Sequence, residues 1–361
     1  MPPQNSLFRP GVASMQGYEP GEWPPIGSGV LKLNSNENPY PPSPQVLAAL
    51  QNIGPELLRR YPNPRGKTFC EVVGETFGVP ADWVIAGNGS DDLLTLLVRA
   101  CAAGEVRSLA YPMPTYVLYR TLAAIQPAKV VEILYGERGT DWVLPVEPLL
   151  SVNAAVTLIA TPNSPTGHLV PMEDLRRLAA GLGGVLVVDE AYVDFAGEGA
   201  DMASLALVRE FENVILLRTL SKGYGLAGLR LGFGIAQPGL LAGLLKIKDS
   251  YNVDAIALQL GAAALRDQTY KRECAQKVMA AREALSAELR SRDFVVWPSQ
   301  TNFVLTRPPE TGPSAKIIYE TLKEYGIMIR YFGESGLDDK LRISVGTPSQ
   351  NERLLHAMLS S

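Results

Sequence analysis

Lys222 stands where the apolar run "VILLRTL" gives way to "SKGYGLAGLRLGFGIA", and five glycines fall between residues 218 and 236. Arg230 follows eight residues later, between Leu229 and Leu231. An ordinary solvated lysine needs no such clearing of side chains. Two other apolar runs also end in polar groups. "TLIATPNSPTG" ends at Asn163 among prolines, and "GVLVVDEAY" ends at Asp189 and Glu190, with Tyr192 just beyond. A fourth stretch, "AGNGSDDLL", runs from a glycine turn into a helix start carrying Ser90, Asp91 and Asp92.

Each of these has a plain structural reading: a strand-end cap, an Asx turn, a core-edge tyrosine, a helix N-cap. Together they supply an amine, a carboxylate, a phenol, an amide and an anion-binding helix start. Pyridoxal phosphate needs all of these. Its aldehyde takes a lysine in a Schiff base, its ring nitrogen takes a carboxylate, and its phosphate takes backbone N–H groups and a cation. Tyr192 and Asn163 would bond the ring hydroxyl. Ser90, Asp91, Thr219, Ser221 and Arg230 would surround the phosphate, with Asp91, an acceptor only, orienting a donor or capping the helix.

Such groups meet only if strands deliver them. From about Val84 to Ala236 seven apolar runs alternate with helical stretches: "WVIAG", "VRSLAYP", "VVEILY", "AVTLIATP", "GVLVVDEA", "NVILLRT" and "LRLGFGIA". That texture predicts an α/β fold with a mostly parallel seven-stranded sheet between helices, and ligands in such sheets bind beyond the strands' carboxyl ends. Residues 1–42, rich in Pro, Gly and Asn, read as an arm joining a smaller domain, and residues 43–253 as the large domain. Residues 254–361 read as that smaller α+β domain, opening with the long helix "YKRECAQKVMAAREALSAELRSR". Ser43 and Pro44 mark a helix start.

Composition narrows the function classes. The chain has 361 residues and a net charge of −4, so a general nucleic-acid or anionic-membrane surface is not expected. Three separated cysteines lack metal or C-x-x-C spacing and suit a reducing cytosol. Neither a signal-peptide core nor a membrane-length run occurs, so the expected location is cytoplasmic. "RGKT" at 65–68 lacks the first P-loop glycine, since position 61 is Tyr. Two histidines, His168 in a loop and His356 on a surface helix, are too few for a zinc site.

The motifs "LNSNENPYPPSP", "RYPNPRG", "GNGSDDLL", "PTYVLY", "TPNSPTG", "DEAYVDF", "RTLSKGYGLAGLRLGFG", "TNFVL" and "LRISVGT" span residues 33–347. In kind and order they resemble those of the fold-type I pyridoxal-phosphate-dependent aminotransferases, and within them the histidinol-phosphate aminotransferase subfamily. The resemblance implies Lys222 as the Schiff-base lysine, Asp189 on the ring nitrogen, and Asn163 and Tyr192 on the ring oxygen. It further implies Tyr116 stacked on the ring, with Ser90, Asp91, Thr219, Ser221 and Arg230 at the phosphate. Tyr61 would reach the cofactor of a neighbouring subunit, implying a homodimer with shared sites. Arg342 and Arg330 would hold the substrate's anionic groups, and the arm's Asn38 would close over it. Pro41, Thr161 and Ser164 depart from the usual pattern, at positions expected to touch no assigned contact.

The activity so implied is ping-pong amino transfer from L-histidinol phosphate to 2-oxoglutarate, giving imidazole acetol phosphate and L-glutamate in histidine biosynthesis. An aromatic aminotransferase and a threonine-phosphate decarboxylase share these motifs and stand as alternatives. A non-catalytic regulator that binds the cofactor is disfavoured, because no DNA-binding segment is present and every catalytic position is filled.

Overall fold

The structure, a computed structural model, describes residues 7–15, 23–25 and 27–359. All seven expected strands form: β1 (Val84–Gly87), β2 (Gly104–Met113), β3 (Ala128–Leu134), β4 (Val156–Ala160), β5 (Val185–Asp189), β6 (Val214–Thr219) and β7 (Gly232–Ala236). They make one sheet in the order β1-β7-β6-β5-β4-β2-β3. The run from β6 to β3 is parallel throughout, and β7 is antiparallel to both its neighbours.

Both faces of this sheet are covered. On β5, Leu186 and Val188 enter one core and Val187 the other; on β6, Leu216 faces the first and Ile215 and Leu217 the second. Two-sided burial is why these strands read as continuous apolar runs instead of alternating ones. The helix Ala255–Arg266 joins the first core through Ala257, Leu260 and Leu265. The large layer thus extends past residue 253, the expected boundary, because this helix's apolar face packs there.

A helix of 23 residues, Gln268–Arg290, follows, starting two residues before the expected stretch because Asp267 accepts the Tyr270 N–H and caps it. The second sheet contains β8 (Val295–Val296), β9 (Phe303–Arg307), β10 (Arg330–Tyr331) and β11 (Leu341–Ser344), antiparallel in the order β8-β9-β11-β10. Its core includes Val304, Leu322, Ile343 and Leu354. From the arm, Leu31–Lys32 pairs in parallel with Ile327–Met328 beside that core. Ser43 caps the helix Pro44–Gln51 by accepting the Gln45 N–H at 3.1 Å.

Among the described residues no helix is long and apolar enough to cross a membrane, and no side-chain group is suited to a metal ion. His356 is exposed on the final helix. His168 is largely buried in its loop, and burial holds its pKa down at about 4.

Candidate active site

Register explains how the chemistry assembles. β4, β5 and β6 are adjacent and parallel, Ala160 pairs with Asp189, and Asp189 pairs with Leu217. Their carboxyl ends therefore leave the sheet along one edge, and carry Asn163, Asp189 and Lys222 with them.

The anion end lies where β1, β7 and β6 meet. Gly87 and Thr219 both pair with Gly232. A Cβ on Gly232 would lie 2.6 Å from the Ser90 nitrogen, so only glycine lets the strand touch the helix start. Gly89, at φ 80°, leaves room for Arg230: a Cβ there would lie 2.8 Å from its Nη2. The helix Ser90–Cys101 has no side-chain cap at Gly89, so its first-turn N–H groups remain an anion-binding end. Arg230 reaches Ser221 Oγ through Nη1 and Asp91 Oδ2 through Nη2, both at 3.4 Å. Thr219 Oγ1 donates to Ser221 Oγ at 2.9 Å, and the Tyr116 hydroxyl to Asp91 Oδ1 at 3.3 Å. Ser90, Asp91, Tyr116, Thr219, Ser221 and Arg230 are thus gathered. Asp91, as expected of an acceptor, orients donors.

At the other end Asp189 is buried. Its Oδ2 accepts from the Tyr119 hydroxyl at 2.8 Å and its Oδ1 from the Ala191 N–H at 3.2 Å. Burial pushes its carboxyl from 3.8 up to about 6, against the Tyr119 hydrogen bond and with added repulsion from Asp91. The N–H of a protonated pyridine nitrogen would donate to this carboxylate and offset its buried charge, the acceptor that pyridoxal phosphate requires. Lys222 Nζ lies 5.5 Å over the Tyr192 ring and donates to the Ser35 carbonyl at 3.1 Å.

Asn163 is fully buried, and its side chain is engaged inside its own turn. Oδ1 accepts from Thr115 Oγ1 at 2.7 Å, and Nδ2 donates to the Pro114 carbonyl and to Thr166 Oγ1 at 2.9 and 2.7 Å. The next residue meets Arg342 instead: Ser164 Oγ accepts from Arg342 Nη1 at 3.1 Å. This corrects one expectation, that the Ser164 departure touches no assigned contact. A serine there keeps an acceptor on the guanidinium while shortening the side chain.

Arg342 also donates to the Asn34 carbonyl at 2.9 Å. Arg330 sits directly across from it in the β10–β11 ladder. Like charges directly opposite on a sheet repel, so the pair is suited to an anion between or beside them. Both guanidinium groups lie over the Phe332 ring, at 5.5 and 5.6 Å. Asn38 is engaged with the lysine loop: its Nδ2 donates to the Lys222 and Gly223 carbonyls at 3.0 and 3.2 Å. Tyr61 stands apart, 80 % exposed and stacked on Tyr251 with ring centroids 4.5 Å apart.

Sequence reasoning passed over Tyr119, Asn36 and Phe332. Tyr119 had a signal: it is three residues from Tyr116 in "PTYVLY", hence one helical turn away. The alternation of Asn34, Asn36 and Asn38 was a second. Phe332 carried none.

The chain is similar to known proteins along nearly its whole length. The profile of the family Aminotransferase class I and II matches residues 28–358. Histidinol-phosphate aminotransferase 1 of Trichormus variabilis is 58 % identical over 353 residues, covering 98 % of each chain. The histidinol-phosphate aminotransferase of Syntrophotalea carbinolica is 44 % identical, covering 97 % of this chain and 98 % of its own. The crystal structure of histidinol-phosphate aminotransferase from Sinorhizobium meliloti in complex with pyridoxal-5'-phosphate superposes with a TM-score of 0.86. It is 26 % identical and covers 99 % of this chain and 98 % of its own. The seven-stranded fold expected of fold-type I is therefore present, and the chain belongs to the class I and II aminotransferase family.

Proposed function

We propose that this protein is a pyridoxal-phosphate-dependent aminotransferase that moves the amino group of L-histidinol phosphate to 2-oxoglutarate, yielding imidazole acetol phosphate and L-glutamate. The observation that carries the anionic-substrate part is the cross-strand pair Arg330 and Arg342 facing the same wall as Ser164 and the arm. Identity of 58 % along the whole chain to a relative bearing that name supports the choice of donor.

The cofactor, when bound, supplies an aldehyde that condenses with amines and a protonated pyridine ring that accepts electron density from a carbanion. The chain's residues do the rest. Lys222 holds the cofactor and, once its amine is free, takes and returns the proton at the substrate carbon. Asp189 keeps the ring nitrogen protonated, and Tyr119 keeps Asp189 in place. The Ser90 helix start, Thr219, Ser221 and Arg230 hold the phosphate, and Tyr116 covers the ring. Tyr192 donates to the ring oxygen. Asn163, its amide engaged in the turn, shapes the loop that presents Ser164. Arg342 and Arg330 bind the carboxylates of glutamate and the phosphate of the donor, since bidentate guanidinium forks accept either anion. Asn38 serves the lysine loop.

We further infer a homodimer with shared sites and a cytoplasmic location. Tyr61, exposed on its own chain, lies near exposed Leu58 in sequence and would complete the partner's phosphate site.

A donor panel with 2-oxoglutarate tests the substrate. The kcat/KM for histidinol phosphate should exceed that for phenylalanine at least about tenfold, or roughly 1.4 kcal/mol of transition-state binding. A better rate with phenylalanine makes the chain an aromatic aminotransferase; carbon dioxide release from threonine phosphate makes it a decarboxylase.

A further inference from the structure

Asn36 is 1 % exposed and sits at φ 56°, a left-handed conformation that asparagine tolerates better than most residues. It belongs to the arm, yet its four polar groups reach three separate segments, through Asn302, Ser344 and Tyr192. Its carbonyl accepts from Asn302 Nδ2 at 2.9 Å. Its N–H donates to Ser344 Oγ at 2.8 Å, and the Ser344 hydroxyl donates back to Asn36 Oδ1 at 3.0 Å. Its Nδ2 donates to the Tyr192 hydroxyl oxygen at 2.9 Å.

The polarity of this last bond follows from the others. Ser344 Oγ accepts the Asn36 N–H and gives its single proton to Asn36 Oδ1, the assignment that places the amide oxygen on the serine side. The NH₂ group is thereby turned toward Tyr192. Tyr192 then acts as acceptor toward Asn36, and its own hydrogen is left for another partner. Lys222 Nζ lies over the tyrosine ring, Phe303 packs against it edge-on at 5.2 Å, and Asp189 lies three residues earlier on the same segment. The amine is itself a donor and Phe303 is apolar.

Resting on the assignment of Tyr192 to the ring oxygen, we propose that Asn36 is a positioning residue that sets the direction of the Tyr192 hydrogen bond. By occupying the phenol as a donor, Asn36 sends the Tyr192 hydrogen toward the cofactor's ring oxygen. The arm and the second sheet, through Ser344, thereby reach the electronic state of the cofactor without touching it. Donation to that oxygen favours its fully negative form, and so lowers the pH at which the Lys222 nitrogen, once joined to the cofactor, gives up its proton.

The test is spectroscopic. The pH midpoint of the visible absorption change is measured on the cofactor-loaded enzyme, on Tyr192→Phe, on Asn36→Gly and on the double variant. Glycine removes the side chain while keeping the left-handed backbone. Tyr192→Phe should raise the midpoint by about one pH unit or more, the scale of a hydrogen bond to a charged group. Asn36→Gly should raise it by about half as much, and add nothing in the Tyr192→Phe background. Ser344→Ala, which frees the asparagine amide to turn, should move the midpoint the same way by a smaller amount; it also serves if Asn36→Gly does not fold. An unmoved midpoint in both Asn36→Gly and Ser344→Ala, or a full extra shift in the double variant, overturns the role of Asn36 and leaves that of Tyr192 standing. An unmoved midpoint in Tyr192→Phe removes the Tyr192 assignment itself, and the role of Asn36 with it.

Discussion

The floor and the wall of the site are built differently. The floor, with Lys222, Asp189 and Arg230, hangs from buried strands whose register fixes where each side chain emerges. The wall sets Arg330 and Arg342 on a short antiparallel ladder and ties that ladder to Ser164 and the arm by side-chain hydrogen bonds between segments up to 308 residues apart. Strand pairing leaves the floor little freedom. The wall can change its contacts by breaking a few bonds to carbonyls and hydroxyls, which suits a surface that must accept two substrates in turn.

If the floor supplies the chemistry, changes there should cost most. Asp189→Asn should retain cofactor yet lower kcat by about two to three powers of ten, the scale of a lost electrostatic partner. The same change has an opposite effect on stability. Because Asp189 is pushed up to about 6, its stabilising influence is full below pH 3.8 and is lost as pH rises through 6. Cofactor-free Asp189→Asn should therefore be more stable than its parent at pH 8 by about 2 kcal/mol, with the gap closing toward pH 4. Urea unfolding at several pH values reads this directly.

Tyr61 belongs to neither region of its own chain. Mixing inactive Lys222→Ala subunits with Tyr61→Phe subunits should yield heterodimers with one intact site, and roughly a quarter of parental activity for random exchange of two equal pools. No recovery, with exchange demonstrated, would mean self-contained sites.

Wall substitutions should be milder and selective. Arg330→Ala should lower kcat/KM for histidinol phosphate about tenfold and for glutamate less, as expected for one charged contact at a partly exposed site. Ser164→Ala should raise KM about threefold with kcat nearly unchanged, since a single neutral acceptor on Arg342 is removed. Equal losses for both substrates in Arg330→Ala would erase the distinction between the two regions.

The same contrast governs what could be read without coordinates. Lys222 and Asp189 stand out in the sequence because an apolar run ending in a polar group is a local signal, Arg230 because it interrupts an apolar run, and the seven strands of the large sheet because they are apolar runs alternating with helical stretches. The wall is set by pairings remote in sequence. Nothing near Ser164 reveals Arg342 as its partner, nothing in "NSNENPY" tells that Asn36 holds Tyr192 while Asn38 braces the lysine loop, and the face that Phe332 presents depends on the register of a two-residue strand. Asn163 was legible as a turn residue, but whether its amide faces inward or outward depended on Thr115, Pro114 and Thr166. That the helix Ala255–Arg266 packs back on the large core was likewise not legible, because the residues it meets are remote in sequence.

The central claim is that the strand ends converge on a cofactor held at Lys222. Borohydride reduction of the yellow enzyme, followed by proteolysis and mass spectrometry, tests it most directly. The cofactor's mass should appear on the peptide containing Lys222 and on no other lysine. Label on another lysine, or a protein that takes up no cofactor at all, would contradict it.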